Sequence, residues 1–334
     1  MNLDVLIPSL LLPASTHTQF SPPSVPVLEK LLARADRQVD AALAEPSWLF
    51  KRWGVVTGAP LAAVLAEYDG LDSTNDGWMF AEPIHLVADR DRLTMFTSHF
   101  LELNSVETAA FISALNVHFA DRNLQFYAPT IERWYVRCGS AEIPETTPPN
   151  FARTGSLIDF QPKSRGAISW RAVQNEAQML FFSHALNDAR QLDGKVAASG
   201  VWFWGGGISP TLKKPAYDRV VTNSPLATQL AKKTGIDVQP LSWGSMRLAQ
   251  GNVLLVLDSC AELADRGEFS MLGKEVERLD HEWFLPISQA LANGGIERLT
   301  LLVPDAESIQ SFHITRRNQL LRFWRTARPL AAYA

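Results

Sequence analysis

Two apolar runs that each end in an aspartate constrain the fold of this chain more than any other feature. Val253 to Leu257 reads straight into Asp258, and Leu299 to Val303 reads through Pro304 into Asp305. A continuous apolar run closed by a polar residue is what a parallel strand buried on both faces requires, and open α/β sheets bind ligands beyond those carboxyl ends. Elsewhere strand patterning alternates with helical spacing, so the expected class is α/β. The 334 residues, 46% of them hydrophobic, suffice for one domain over 1–334 or for a main domain with a smaller sub-domain at 60–150.

The remaining elements follow from periodicity and punctuation. The apolar start through Leu12 is short, carries Asp4 where a signal peptide wants a cation, and is broken by Pro8 and Pro13, so it reads as a buried first strand. Helices are expected at 26–42, at 105–119 with Ser105 as N-cap, at 169–183, at 224–234 with Ser224 as cap, and at 267–292. A hairpin is expected across 89–92, and the proline- and threonine-rich stretch 143–150 reads as a linker between lobes. The last helix carries Arg316, Arg317, Arg322, Arg325 and Arg328, and Leu320, Leu321, Phe323 and Trp324 are expected to pack it on the body.

Composition excludes more than it selects. A net charge of -4 gives no basic footprint for phosphates, so no nucleic acid and no membrane is expected among the partners, which are left as an unknown small molecule or protein. Cys138 and Cys260 match no metal spacing and suit a reducing, cytoplasmic setting.

Several groups of residues invite a chemical reading. Trp202-Phe203-Trp204 runs into Gly205-Gly206-Gly207, which fits either a tight turn after a core strand or a site rim where backbone approaches a ligand. Arg171, Asn175 and Gln178 share one helix face, with Ala172, Met179 and Phe182 on another, and His184 follows; the polar set suits a ligand or an internal hydrogen-bond network. Asp258 and Asp305 could share a divalent cation or cap loops and helices. Asp280-His281 lies in a charged helix that lacks a second histidine one turn away. No H-x-x-x-H, G-x-S-x-G, Walker A or G-x-G-x-x-G pattern occurs.

These motifs also carry a family resemblance. Glu82-Pro83-Ile84-His85-Leu86, Trp170-Arg171 with 175–180, and 202–207, in that order, resemble the RpfE-type regulatory proteins, over about residues 3–305. The second half is similar to the archaeal-type cofactor-independent phosphoglycerate mutases of the alkaline phosphatase superfamily, through 204–210, 255–261, 274–280 and 302–305. That resemblance implies an alkaline-phosphatase-like three-layer sandwich, with a mixed, mainly parallel sheet and a smaller inserted segment. It also implies two metal ions about 4 Å apart and a serine or threonine nucleophile.

Here the sequence departs from the pattern. Ile7-Pro8-Ser9 stands where the family has Asp and Gly, no histidine follows Asp258 at the family's position, and Ala306 replaces the histidine after Asp305. No metal is therefore expected, and the chain reads as a mutase-like protein acting by binding or regulation. Its ligand pocket is expected around Asn175, Gln178, His184, Trp204, Gly205, Gly206 and Gly207. The alternative is an active phosphotransferase holding manganese or zinc through Asp258, His281 and Asp305.

Overall fold

The computed structural model describes residues 1–11, 23–41, 45–89, 92–139, 141–149, 162, 166–247, 249–304 and 308–333. The chain opens with β1 (Asn2–Leu6), α1 (Pro26–Ala33), β2 (Asp36–Ala41) and α2 (Glu45–Arg52). It continues through α3 (Leu61–Tyr68), β3 (Gly77–Asp89), β4 (Arg92–Phe96), α4 (Ser98–Leu101), α5 (Ser105–His118), β5 (Gln125–Tyr127) and β6 (Tyr135–Gly139). Next come α6 (Ala167–Phe182), α7 (Ala185–Leu192), β7 (Gly200–Ile208), β8 (Arg219–Thr222), α8 (Pro225–Lys233), β9 (Asp237–Gln239) and α9 (Trp243–Arg247). The rest is β10 (Asn252–Val256), α10 (Ser259–Arg266), α11 (Phe269–Leu279), α12 (Leu285–Ala292), β11 (Arg298–Pro304), β12 (Ser308–Thr315) and α13 (Arg316–Leu321). Two compact units result, Met1–Val56 with Leu212–Ala334 and, between them in sequence, Thr57–Thr211.

The first unit is built on a seven-stranded sheet in the order β2-β12-β11-β1-β10-β8-β9, parallel except at β12 and β2. Both apolar runs are central strands, and β1 lies between them. Alternation along each strand sends Leu3, Val5, Val253, Leu255, Leu299, Leu301, Phe312 and Ile314 to one buried core, joined there by Leu28, Leu31 and Leu32 of α1 and by Leu272, Val276 and Ile287. This is the mixed, mainly parallel α/β architecture expected.

Two expected helices are broken in the structure. The 26–42 segment ends as helix at Ala33, because Asp36 to Ala41 extends along β12 as an antiparallel edge strand. The 267–292 segment is α11, a π turn at Asp280–Phe284 and then α12; Pro286 removes the amide that an α-helix would use there, and the turn widens. Asp280 has a structural task, accepting the Val27 and Leu28 amides at 3.2 and 2.7 Å at the start of α1. The C-terminal aromatics differ from expectation as well. Leu320, Leu321, Phe323 and Trp324 are 53–72% exposed, because the arginines hold the chain instead: Arg322 reaches Asp36 and the Arg34 carbonyl, and Arg325 the Ala35 carbonyl.

The second unit carries its own antiparallel sheet, ordered β4-β3-β6-β5 with β7 also paired to β3. Its core centres on Phe111 stacked on Phe181 at 4.5 Å, with Trp134, Trp170 and Phe203 around them. The cap of α5 is Asn104, one residue before the expected Ser105, and Glu107 completes a capping box. This unit runs well past the 60–150 segment read from the sequence, because β7 pairs along β3. The stretch expected as a linker lies within it: the Trp170 and Trp202 indoles donate to the Glu142 and Thr147 carbonyls at 2.9 and 2.8 Å.

Candidate functional site

At the carboxyl ends of the parallel strands, Asp258 follows β10 at the first residue before α10, and its side chain caps nothing. Ser224 precedes α8, likewise makes no cap, and instead hydrogen-bonds the Asp258 carboxyl. Burial pushes that carboxyl above its ordinary value, and its own backbone amide and the Ser224 hydroxyl only partly offset this. Beside β1 the chain turns through Ser9 in the left-handed region, φ +58°. One step into α10, Ser259 donates to Glu275, whose carboxylate is gripped by Arg278 at 2.6 and 2.8 Å and held below its ordinary value despite burial. Cys260 is buried, and its thiol is pushed up to about 12.

His281 is exposed in the π turn, and Asp305 lies outside the described residues. Among the described residues no three His, Cys, Asp or Glu side chains form a metal-ligand group. The described donors beside Asp258 are the Ser224 hydroxyl and, one residue on, Ser259, which is turned to Glu275; these are fewer than the oxygen ligands a hard cation takes.

The other expected site residues serve the second unit individually. The Trp204 indole donates to Glu82 at 3.1 Å and its ring lies on Phe80 at 4.5 Å. A Cβ at Gly205, where φ is +64°, would come within 2.9 Å of Phe80, and one at Gly206 within 2.4 Å of Ile143. Gly207 leaves the same kind of room for Pro60. The three glycines thus admit side chains of their own unit against β7. Gln178 covers Gly200, His184 accepts the Leu186 amide at the start of α7 and lies 5.0 Å from Phe111, and Asn175 is exposed.

A cavity of about 1200 Å³ lies elsewhere, over the sheet of the first unit on the face opposite its apolar core. Its floor is made of rows across the strands, Asn252, Asn2 and Arg298 in one, and Asp4, Thr300 and His313 in the next. Asp4 accepts a hydrogen bond from Tyr217 at 2.8 Å and lies 3.8 Å from Arg52, whose guanidinium rests over the Trp48 ring at 5.1 Å. Burial and the neighbouring Asp4 push the Tyr217 phenol well above its ordinary range, so it stays a donor. Lys51, Arg52 and Arg298 outnumber Asp4 and Asp40 around the cavity, which favours a polar, anionic occupant. Sequence reading missed this place. The signal was the alternation of polar with apolar residues at Asn2-Leu3-Asp4, Arg298-Leu299-Thr300 and Ser311-Phe312-His313, which marks strands with one polar face.

Comparison with known proteins agrees with this architecture. No protein-family model matches the chain. It is 23% identical over 252 residues to a 2,3-bisphosphoglycerate-independent phosphoglycerate mutase of Methanosarcina mazei, covering 68% of this chain and 63% of that protein. To a probable enzyme of the same name from Geobacter sulfurreducens it is 25% identical over 134 residues, 39% of this chain and 33% of the relative. The matches thus span less than two thirds of either relative. Among solved structures, the PH0037 protein of Pyrococcus horikoshii superposes with a TM-score of 0.54 at 12% identity, over 94% of this chain and 87% of that one. The fold is therefore shared, and the chain is distantly similar to the cofactor-independent phosphoglycerate mutases.

Proposed function

We propose that this protein is a phosphoglycerate-mutase-like binding protein, regulatory in the manner of the RpfE-type proteins it resembles, and that it does not carry out metal-dependent phosphoryl transfer. The donor set around Asp258 carries this reading. Phosphoryl transfer on two metal ions needs several ionised ligands converging on the strand ends. Among the described residues Asp258 meets its own backbone amide and the Ser224 hydroxyl, and no group of three carboxylates, imidazoles or thiols gathers there.

The ligand is assigned to the cavity over the first unit's sheet, whose cationic lining suits a small phosphorylated or carboxylated molecule. Arg298, exposed at the start of β11, is the natural anchor, since its guanidinium can grip such a group through two parallel hydrogen bonds.

The test is a mutase assay with 3-phosphoglycerate and added manganese or zinc, run beside metal quantification of the purified protein. No interconversion and substoichiometric metal are expected. Turnover that disappears in Asp258→Asn would overturn the proposal in favour of an active mutase. In parallel, 3-phosphoglycerate is the probe for the cavity: Arg298→Ala is expected to raise its Kd at least about tenfold, through loss of the two charge-assisted hydrogen bonds.

A further inference from the structure

The helix α13 is packed inside out. Asn318, Gln319 and Arg322 share the side that faces the body. There the Asn318 amide donates to Asp36 at 2.9 Å, and Arg322 pairs with Asp36 at 2.7 Å and reaches the Arg34 carbonyl. Arg34 returns a hydrogen bond to the Gln319 carbonyl at 2.9 Å, and Thr315 caps the helix by accepting the Asn318 amide. The other side carries Arg316, Arg317, Leu320 and Leu321, all exposed. The turn that follows adds Phe323 and Trp324, set edge to face at 5.6 Å and 72 and 65% exposed. Polar bonds thus fix the element while its apolar side chains stand in water, the reverse of the usual amphipathic arrangement.

Charge singles out what covers this side. The net charge of -4 argued against a membrane partner, yet residues 316–333 hold five arginines and no acidic residue. Asp36 and Glu29 bond to this stretch, through Arg322 and the Leu330 amide, and their two charges leave it cationic. A second copy would bring like charges together, so the occupant is anionic. It must also accept four large apolar side chains that project beside the arginines. The surface of an anionic bilayer meets both demands, with lipid phosphates for the guanidinium groups and the acyl boundary for leucine, phenylalanine and tryptophan. Tryptophan and arginine suit that depth because each joins an apolar body to a polar tip. No helix among the described residues is long and apolar enough to cross a membrane, so the contact is a surface one. Thr315 pairs with Arg298 at the amino end of β11, which sets α13 at the sheet edge opposite Asp258 and Pro304.

We propose that residues 316–328 dock the protein on an anionic lipid surface, with Leu320, Leu321, Phe323 and Trp324 entering the headgroup region and Arg316, Arg317 and Arg328 lying against lipid phosphates.

The test is co-sedimentation of the full chain with vesicles of phosphatidylcholine alone or with phosphatidylserine added. Binding is expected only with phosphatidylserine, and a rise to about 1 M salt, where charges are screened beyond about 3 Å, should weaken it strongly. Phe323→Ser with Trp324→Ser, and separately Arg316→Glu with Arg317→Glu, should each lower the partition at least about tenfold with unchanged circular dichroism, since all four positions are exposed. Bromine-labelled lipid should quench tryptophan fluorescence in the wild type, and that quenching should vanish in Trp324→Phe, which still sediments with the vesicles. No binding to phosphatidylserine vesicles, or equal binding by both double variants, would overturn the proposal. Self-association that Trp324→Ser abolishes, or binding to polyglutamate but not to vesicles, would overturn it in favour of a second copy or an acidic protein.

Discussion

Arg190 is 1% exposed and carries its charge into the core of the second unit. Its guanidinium is fully engaged, with Glu107 at 2.8 Å, the Val196 carbonyl at 2.9 Å and the Leu101 carbonyl. Desolvation would raise the Glu107 carboxyl, but the Asn104 amide and the Arg190 guanidinium outweigh it and hold that group below its ordinary 4.5. Removing Arg190 leaves the buried Glu107 with the Asn104 amide and the more distant Lys195 at 3.9 Å, so Arg190→Leu should cost about 3 kcal/mol, read as a lowered urea midpoint. Because the folded value is depressed, the pair's contribution is complete above about 4.5 and is lost as pH falls through the folded value. Urea melts from pH 7 down to 3 should therefore show the wild type losing stability on acidification more steeply than the variant. Nothing in the sequence around Arg190 announces this pair; its partner is 83 residues away.

At the scale of elements, the start of α1 depends on a residue from the π turn. Asp280 replaces the capping side chain that Val25 cannot supply, so Asp280→Ala should cost about 1–2 kcal/mol by thermal or urea unfolding. A variant as stable as wild type would show that solvent satisfies those amides equally well. Which elements were legible follows the same logic. The strands β10 and β11 were readable because both their faces, or nearly so, are buried, which leaves an unmistakable apolar run. The edge strand β2 was not, since Asp36-Arg37-Gln38-Val39-Asp40 is exposed along its length and its pairing with β12 is decided some 270 residues away. The candidate site divides likewise. The position of Asp258 at a strand end was legible, its partner Ser224 was not, and the glycines after Trp204 turned out to face Phe80, Ile143 and Pro60, contacts that only the folded unit reveals.

For the whole molecule, the decisive fact is that one unit is continuous in sequence and the other is not. The fragment 57–211 contains every strand of its sheet and every residue of its Phe111-centred core, so expressed alone it should give a dispersed NMR spectrum and a cooperative melt. A collapsed, non-cooperative fragment would mean that it needs the rest of the chain. The first unit has no such independence. Its β1 lies between β10 and β11, partners roughly 250 and 300 residues further on. During synthesis the Leu3 and Val5 side chains therefore leave the ribosome long before anything exists to shelter them, while the intervening unit can already be complete. The strand at the middle of the sheet is the one that waits longest, and chaperone dependence of this protein should be governed by that delay.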